Sequence, residues 1–359
     1  MIELKNHSMY MKMAINLAKK GRGKVSPNPM VGCVIIKNDR IIGEGYHHEF
    51  GKNHAEIDAL NNCIESPHDA DLYVNLEPCN IYGKTPPCVN AIIKEGIKNV
   101  YIGVTDPNPE VNGLGIKELQ KNSINVENGI LYEECYDLNK SFFKWIETKR
   151  PWVIGKVAQT IDGYMGIDSN TSTWITNESS KINAHQLRSE VDAILIGKNT
   201  ALVDNPSLTV REVLGSNPKR VILDTYRSLP LTLKIFNDKD AETIVLCSNN
   251  KFNDNETSFC RFIAINEFDG KLDLGDVLQT LGEDGITSLL VEGGKEVLQS
   301  FYNQKLLDEI YIYSSDKNIK GASLKNPLLL NDEWEIKEDI DLLNDNLKIA
   351  RKKTACLQE

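Results

Sequence analysis

Apolar residues in the first half of the chain alternate between continuous runs and helical spacing. Continuous runs predict strands buried on both faces, and spacing of three and four residues predicts helices. The predicted elements are a surface helix over 1–23, strands over 31–37, 41–46, 71–76 and 99–104, and helices over about 54–63, 88–95, 114–121 and 131–147. This alternation is typical of a largely parallel sheet covered by helices.

The pattern stops at the short polar segment Thr148-Lys149-Arg150-Pro151 and then begins again. We therefore expect two α/β domains, 1–148 and 149–359, as is usual for a chain of 359 residues. The charge-rich tail after about residue 333 is consistent either with a terminal strand pair or with partial disorder. Predicted elements of the second domain are strands over 152–158, 193–197, 220–224, 243–247, 288–292 and 309–314, and helices over 179–190, 275–281 and 295–304.

The composition of the chain limits the kinds of molecule that it is expected to bind. The net charge of −10 disfavours a surface that binds nucleic acid, such as RNA, and favours small-molecule substrates. No apolar run is long enough to span a membrane, and Lys12, Asn16 and Lys19 interrupt the N-terminal segment where a signal peptide would be apolar. Eight scattered cysteines are typical of reduced thiols, so we expect a cytoplasmic protein.

One histidine and two cysteines form a candidate metal set. His54 opens a predicted helix, Cys79 follows Glu77-Pro78, and Cys88 comes after eight intervening residues. Zinc accepts such a set and keeps a fourth position for water, which it activates as a nucleophile. Helix N-termini also favour the thiolate form that binds metal. These residues predict a catalytic zinc site.

Glu56 lies two residues after the candidate ligand His54. A carboxylate there reaches the activated water without binding the metal and can carry its proton to a ring nitrogen and then to a leaving amine. This arrangement is typical of zinc deaminases, although their cysteines are usually two residues apart. The alternative is a structural zinc site with a fourth ligand, for which His47, His48 and His68 are the candidates.

Motifs in both halves resemble those of the bifunctional riboflavin-biosynthesis deaminase/reductases, including the eight-residue gap between cysteines. The resemblance extends over the chain to about residue 320. The motifs that carry it are SPNPMVG (26–32), GYH (45–47), HAE (54–56), LEPC (76–79), GKTPPC (83–88), DPNP (106–109), KVA (156–158), DG (162–163), STWIT (172–176), DNPSLTVR (204–211) and VEGG (291–294).

The resemblance implies a cytidine-deaminase-like three-layer domain followed by a dihydrofolate-reductase-like domain. It also implies two reactions, which are deamination of a phosphoribosylamino-diaminopyrimidinone and NADPH-dependent reduction of the product's ribosyl group to ribityl. Cofactors are then Zn²⁺ and NADPH, and we expect a homo-oligomer. The family commonly has a histidine where this chain has Ile81, so the alternative is a reductase with a weakened deaminase domain.

The matching motifs also imply roles in the reductase for several residues of this chain. Arg188 and Arg211 are predicted phosphate clamps, because a planar guanidinium matches phosphate oxygens. Lys156 and Asp204 are candidate proton donors for the reduction. Substrate residues implied by the resemblance are Ser172, Arg188, Leu208, Arg211 and Glu292, and NADPH residues are Gln159, Trp174, Thr200, Asp204, Thr225, Gly294, Lys295, Glu296, Val297, Leu298, Gln299 and Ser300.

Overall fold

The computed structural model describes residues 2–83, 86–167, 175–252 and 260–353. It divides into two compact units, Met1–Lys149 and Arg150–Glu359. Each unit contains a β-sheet with its own apolar cores, as expected when alternating strands and helices bury their apolar sides against one another. No helix in the described ranges combines the length and the apolar character needed to cross a bilayer.

The first unit consists of a sheet whose central strand carries apolar residues at successive positions. This strand, β3 (Asp71–Leu76), is buried along nearly its whole length, as the continuous run Leu-Tyr-Val predicts for a strand covered on both faces. The elements in chain order are α1 (Ile2–Ala18), β1 (Gly32–Lys37), β2 (Arg40–Tyr46), α2 (Ala55–Asn61), β3 (Asp71–Leu76), α3 (Cys88–Lys94), β4 (Asn99–Val104), α4 (Leu114–Lys121), β5 (Asn125–Asn128), α5 (Tyr132–Leu138) and α6 (Lys140–Thr148).

The sheet of the first unit has the strand order β2-β1-β3-β4-β5 and is only half parallel. β3, β4 and β5 are parallel, whereas β1 is antiparallel to both β2 and β3. Asn38 and Asp39 both have positive φ, which makes the tight two-residue turn that reverses the chain between β1 and β2. The prediction of a largely parallel sheet was therefore wrong for the side formed by β1 and β2. β5 has no apolar pattern, and the sequence did not predict it.

The helix predicted over 131–147 is wrong, because the structure has two helices that meet at Asn139. The buried Asn139 side chain hydrogen-bonds the backbone of a distant segment: its Oδ1 accepts from Met30 N at 2.8 Å and its Nδ2 donates to Met30 O at 2.8 Å. Asparagine competes with helical backbone bonding in this way. Asn75 also binds this segment, from β3, so two buried asparagines fix the chain just before β1.

The second unit is also α/β, and several of its strands are fully buried. The elements that the sequence did not predict include the helix α8 (Lys198–Asp204) and the strand β10 (Cys260–Ile265). The elements in chain order are β6 (Trp152–Gln159), α7 (Glu178–Ser189), β7 (Ala193–Gly197), α8 (Lys198–Asp204), β8 (Lys219–Leu223), α9 (Lys234–Asn237), β9 (Thr243–Ser248), β10 (Cys260–Ile265), β11 (Glu267–Phe268), β12 (Lys271–Leu272), α10 (Leu274–Glu283), β13 (Ser288–Val291), α11 (Lys295–Asn303), β14 (Glu309–Ser315), β15 (Trp334–Leu342) and β16 (Asp345–Lys352).

The main sheet of the second unit has the order β10-β9-β8-β7-β13-β6-β14-β16-β15. All pairs from β10 to β14 are parallel, and the tail adds the antiparallel hairpin β15–β16, so the strand-pair alternative holds for the described tail. Parallel strands place their carboxyl ends at one edge of a sheet, where ligands bind in such folds. Gln159 ends β6, Gly197 ends β7 and Glu292 follows β13, so all three lie at this edge.

Candidate metal centre and reductase site

The structure brings His54, Cys79 and Cys88 together in the first unit. His54 precedes α2, Cys79 follows β3, and Cys88 begins α3. His54 Nδ1 lies 3.5 Å from Cys79 Sγ and 3.3 Å from Cys88 Sγ. A tetrahedral zinc ion, with bonds of about 2.3 Å to sulfur and about 2.0 Å to nitrogen, separates such atoms by roughly 3.5 Å. The three side chains therefore fit a zinc ion bound through His54 Nδ1.

Local structure favours the thiolate form of Cys79. The Cys88 backbone N–H, at the start of α3, donates to Cys79 Sγ at 3.4 Å. A hydrogen bond from the Cys88 thiol, together with His54, holds the pKa of Cys79 well below its usual range. A thiolate is the form that coordinates metal.

Glu56 lies in the first turn of α2 and is only 3% exposed. Burial raises the pKa of this carboxyl to about 7, although the neighbouring His54 opposes the rise. The Glu56 carboxyl is within hydrogen-bonding reach of Cys88, so it lies beside the metal ligands. A carboxyl with a pKa near neutrality both accepts and donates protons, which is the requirement for a general acid–base.

The histidines considered as a fourth ligand are engaged by other groups, although the His47 ring lies beside that of His54, with 5.5 Å between the ring centroids. Both ring nitrogens of the buried His47 have partners, since Nδ1 lies 2.9 Å from Asn53 O and Nε2 lies 3.1 Å from Asn28 Nδ2. His48 pairs with Asp58, and His68 pairs with Asp69. Within the described part of the chain, the only group able to hold a metal has three residues. Three protein ligands are typical of catalytic zinc, so the site favours the catalytic interpretation.

Charged side chains form the second cluster, at the carboxyl edge of the sheet in the other unit. Arg188 on α7 donates from Nε and Nη2 to the two carboxylate oxygens of Glu292, each at 2.8 Å. Lys156 Nζ on β6 lies 3.8 Å from Glu292 Oε2. Burial opposes ionisation of Glu292, but Arg188 and Lys156 outweigh it and lower its pKa to about 2. Glu292 is therefore an ionised carboxylate held by two cations.

Comparison with known proteins places both sites in a single family. Residues 4–104 match the cytidine and deoxycytidylate deaminase zinc-binding region, and residues 151–319 match the RibD C-terminal domain. The riboflavin biosynthesis protein RibD of Aquifex aeolicus (strain VF5) is 39% identical over 353 residues, which cover 98% of this chain and 95% of that protein. This chain belongs to the RibD family.

Solved structures agree with this RibD assignment over almost the whole chain. Acinetobacter baumannii RibD (form 1) matches with a TM-score of 0.89 and 33% identity, covering 98% of this chain and all (100%) of that one. A diaminohydroxyphosphoribosylaminopyrimidine deaminase/5-amino-6-(5-phosphoribosylamino)uracil reductase from Thermotoga maritima matches with a TM-score of 0.89 and 35% identity over the same shares. These matches confirm the predicted fold class, a cytidine-deaminase-like domain followed by a RibD reductase domain, and confirm a bifunctional deaminase/reductase.

Arg188 and Arg211 differ in this RibD chain, although the sequence predicts both as phosphate clamps. Arg188 directs one edge of its guanidinium at Glu292, and its Nη1 lies 3.5 Å from Thr209 O. Arg211 is exposed and donates from Nη1 to Thr209 Oγ1 at 3.1 Å. Arg211 is therefore the more available of the two for a phosphate.

The residues predicted for the nicotinamide cofactor lie on several elements at the carboxyl edge of the sheet. Thr200 Oγ1, on α8, accepts the Gly294 N–H at 2.9 Å and so fixes the turn before α11. Gln159 donates to Ser314 Oγ at 2.9 Å and accepts from Asn326 Nδ2 at 2.7 Å. Thr225 follows β8, and Asp204 ends α8 with an exposed side chain.

The predicted run from Gly294 to Ser300 forms the start of α11, and its side chains point to different surroundings. Lys295 and Glu296 are exposed, and Val297 and Gln299 are half-buried. Leu298 is fully buried in the apolar core, so only its backbone is available to a cofactor. Leu208 is also buried. Ser172 and Trp174 lie outside the described residues.

Glu77 has a structural role that the sequence interpretation missed. Its buried carboxylate accepts backbone N–H groups from Asp106 (3.3 Å), Gly113 (2.9 Å) and Ile116 (3.1 Å). Two of these groups belong to the N-terminus of α4, where Gly113 offers no side-chain cap. Glu77 therefore caps α4 from the residue before Pro78-Cys79. The signal in the sequence is a lone carboxylate directly after a fully buried strand.

Proposed function

We propose that this chain catalyses two successive steps of riboflavin biosynthesis. In the first, the 2-amino group of 2,5-diamino-6-(5-phosphoribosylamino)pyrimidin-4(3H)-one is removed by hydrolysis. In the second, the ribosyl group of 5-amino-6-(5-phosphoribosylamino)uracil is reduced with NADPH. The observation that supports this most is the three-ligand centre with buried Glu56 in a chain that also carries the Arg188–Glu292 cluster.

In the deaminase unit, His54, Cys79 and Cys88 would hold the zinc ion, which supplies Lewis-acid activation of water. Glu56 would take a proton from the attacking water and give it to a ring nitrogen. It would then take the proton of the newly added hydroxyl group and give it to the leaving amine. Burial raises the pKa of its carboxyl above the ordinary value, which favours its role as a proton carrier. Burial of Glu56 at 3% exposure also keeps bulk water from competing for these protons.

In the reductase unit, the exposed Arg211 is proposed to bind the substrate phosphate. Thr225 and the start of α11 are proposed to contact NADPH, since an N-terminal turn with glycines lets backbone N–H groups approach phosphates. Lys156 is the proposed proton donor to the ribosyl oxygen that is reduced. It is better placed than the exposed Asp204, because it lies 3.8 Å from Glu292 within the charged cluster.

Preference for NADPH over NADH is proposed to depend on Arg227. Its guanidinium lies 3.7 Å from the Phe262 ring centroid and, with Asp224, lines a cavity of about 270 Å³ just after β8. A guanidinium there suits the additional phosphate of NADPH. We expect Arg227→Met to raise KM for NADPH and to leave KM for NADH unchanged. Equal effects on the two cofactors would contradict this role.

Ile81 supports a second candidate function, a reductase with a weakened deaminase domain. Ile81 stands two residues after Cys79, where it supplies no hydrogen bond to a polar substrate. Separate steady-state assays of the two half-reactions decide between the candidates. Rapid ammonia release from the diaminopyrimidinone supports the two-step enzyme, and ammonia release far slower than NADPH oxidation supports the second candidate.

Metal removal tests the two-step function as a whole. We expect about one zinc per chain, and we expect a chelator to abolish ammonia release without affecting NADPH oxidation by the deaminated substrate. Loss of both activities on chelation would contradict the assignment of zinc to the deaminase unit. We also propose a homo-oligomer in the cytoplasm that acts on small phosphorylated pyrimidines rather than nucleic acid, and light scattering together with an RNA-binding assay tests this.

A further inference from the structure

One face of α7 holds the loop that carries Arg211. Lys181, His185 and Arg188 are spaced by four and three residues, so they lie along the same side of the helix. Lys181 Nζ lies 2.6 Å from Glu212 Oε1, and Arg188 Nη1 lies 3.5 Å from Thr209 O. His185 lies between them and contacts the backbone of Arg211. Three successive side chains of α7 therefore fix the loop from Thr209 to Glu212.

The loop depends on side-chain contacts for its conformation, namely those from α7 and the bond from the Val210 N–H to Asn217 Oδ1 at 2.8 Å. Leu208, directly before it, has a φ of 54°, in the left-handed region that a branched side chain disfavours. Such a backbone persists only where surrounding structure holds it. Residues from Thr209 to Glu212 belong to no helix or strand, so no ladder of backbone hydrogen bonds supports them.

His185 makes the most specific of the three contacts. Its ring is 3% exposed, and its Nδ1 accepts the Arg211 backbone N–H at 3.1 Å. An Nδ1 atom that accepts carries no proton, so this bond requires the neutral tautomer with its proton on Nε2. Burial, Arg188 and Arg211 together lower the pKa of His185 to about 4, which maintains the neutral form at physiological pH.

We propose that His185 is a positioning residue of the reductase, which holds the Arg211 backbone so that the Arg211 guanidinium is available to the substrate phosphate. This inference rests on the proposed function, in which Arg211 binds that phosphate. Arg188 is already engaged in its bidentate pairing with Glu292, so it has fewer donors to offer a phosphate. His185 touches neither the reacting atoms nor the cofactor in this account and acts only through Arg211.

Two substitutions at His185 separate the effect of the hydrogen bond from the effect of losing the imidazole ring. Asparagine places its Oδ1 at nearly the position of Nδ1 and keeps an acceptor for the Arg211 N–H, whereas glutamine extends its amide beyond that position. We expect His185→Gln to raise the reductase KM for the phosphorylated aminouracil about tenfold, with kcat changed less, and His185→Asn to stay within about threefold of the unaltered enzyme. Ammonia release, which depends on the other unit, stays unchanged in both variants.

The same assay includes Arg211→Met and the double variant His185→Gln/Arg211→Met. If His185 acts through Arg211, the double variant has the same KM as Arg211→Met alone. If His185 has a general structural role instead, the double variant has a KM that is higher again by the factor seen for His185→Gln. An unchanged NADPH dissociation constant, measured by fluorescence, shows that the second unit is folded. Should Arg211→Met leave KM unchanged, the proposed role of Arg211, and this inference with it, fails. Two other results overturn the positioning role alone, provided that Arg211→Met raises KM. In the first, His185→Gln leaves KM unchanged. In the second, His185→Asn raises KM as much as His185→Gln does.

Discussion

The two sites of this chain differ in the sequence separation between the residues that form them. In the metal centre, Cys79 and Cys88 are 9 residues apart, and His54 precedes Cys79 by 25 residues. In the reductase cluster, Arg188 and Glu292 are 104 residues apart and come together only when β13 takes its place beside β7. The first site depends on short connections between neighbouring elements, and the second depends on the completed sheet. Changes at the first should therefore affect chemistry, whereas changes at the second should affect both chemistry and stability.

The largest effect is expected at Glu56. Glu56→Gln removes the proton carrier and keeps the ligands, so we expect deaminase kcat to fall by about 10²–10⁴-fold with zinc content unchanged. NADPH oxidation with the deaminated substrate stays at its original rate. Glu127→Gln, at an exposed position on β5, is the matched control and leaves both activities unchanged. Full deaminase activity in Glu56→Gln would show that another group carries the proton.

Glu292→Gln provides the corresponding test in the reductase unit. Removing one partner of a buried ion pair leaves Arg188 and Lys156 without their counter-charge, which destabilises a fold by about 3–5 kcal/mol. We expect faster hydrogen exchange in peptides of the second unit and loss of reduction, with ammonia release retained. Glu267→Gln, at an exposed position in the same unit, serves as the control. Unchanged exchange in Glu292→Gln would contradict the importance of the pair.

Acid should weaken the same ion pair in a predictable range. The pKa of Glu292 is lowered from an ordinary 4.5 to about 2, so its stabilising contribution is complete above pH 4.5. This contribution declines as the pH falls from 4.5 towards 2, because the unfolded state binds the proton first. We expect the stability difference between the unaltered protein and Glu292→Gln to shrink over this range. A difference that stays constant across it would show that Glu292 is not held as an ion by Arg188 and Lys156.

The smallest effect is expected at Ile81, beside the metal centre. Ile81→His offers a hydrogen bond to the substrate, so we expect deaminase kcat/KM to rise by about two- to tenfold without a change in reduction. Ile64→His, at a position that is 82% exposed, is the control for adding a histidine to this unit. A fall in deaminase kcat/KM would indicate that Ile81 contributes to the substrate site as it stands.

Local patterns predicted much of the deaminase unit. Strands 71–76 and 99–104 and the helix over 114–121 match the structure to the residue, and the three proposed metal ligands converge. Apolar periodicity did not reveal β5, in which Val126 is the single apolar residue, or the break at Asn139, which depends on hydrogen bonds to Met30. The capping role of Glu77 was hidden for the same reason, because its partners lie 29 to 39 residues away.

The reductase unit was harder to predict at the level of contacts. Family motifs identified Arg188 and Glu292 separately, but neither periodicity nor spacing indicates that they pair with each other. His185 has no motif of its own, and its role depends on the path of a loop that begins more than twenty residues later. Long-range pairing of this kind becomes visible only once the strand order is known.

The most direct test of the two-site account supplies the phosphorylated diaminopyrimidinone together with NADPH and follows ammonia and NADPH in one reaction. The account predicts ammonia release first, NADPH oxidation after a lag, and a final ratio of about one to one, because each molecule passes through both reactions. NADPH oxidation without ammonia release, or ammonia release that never leads to NADPH oxidation, would contradict it.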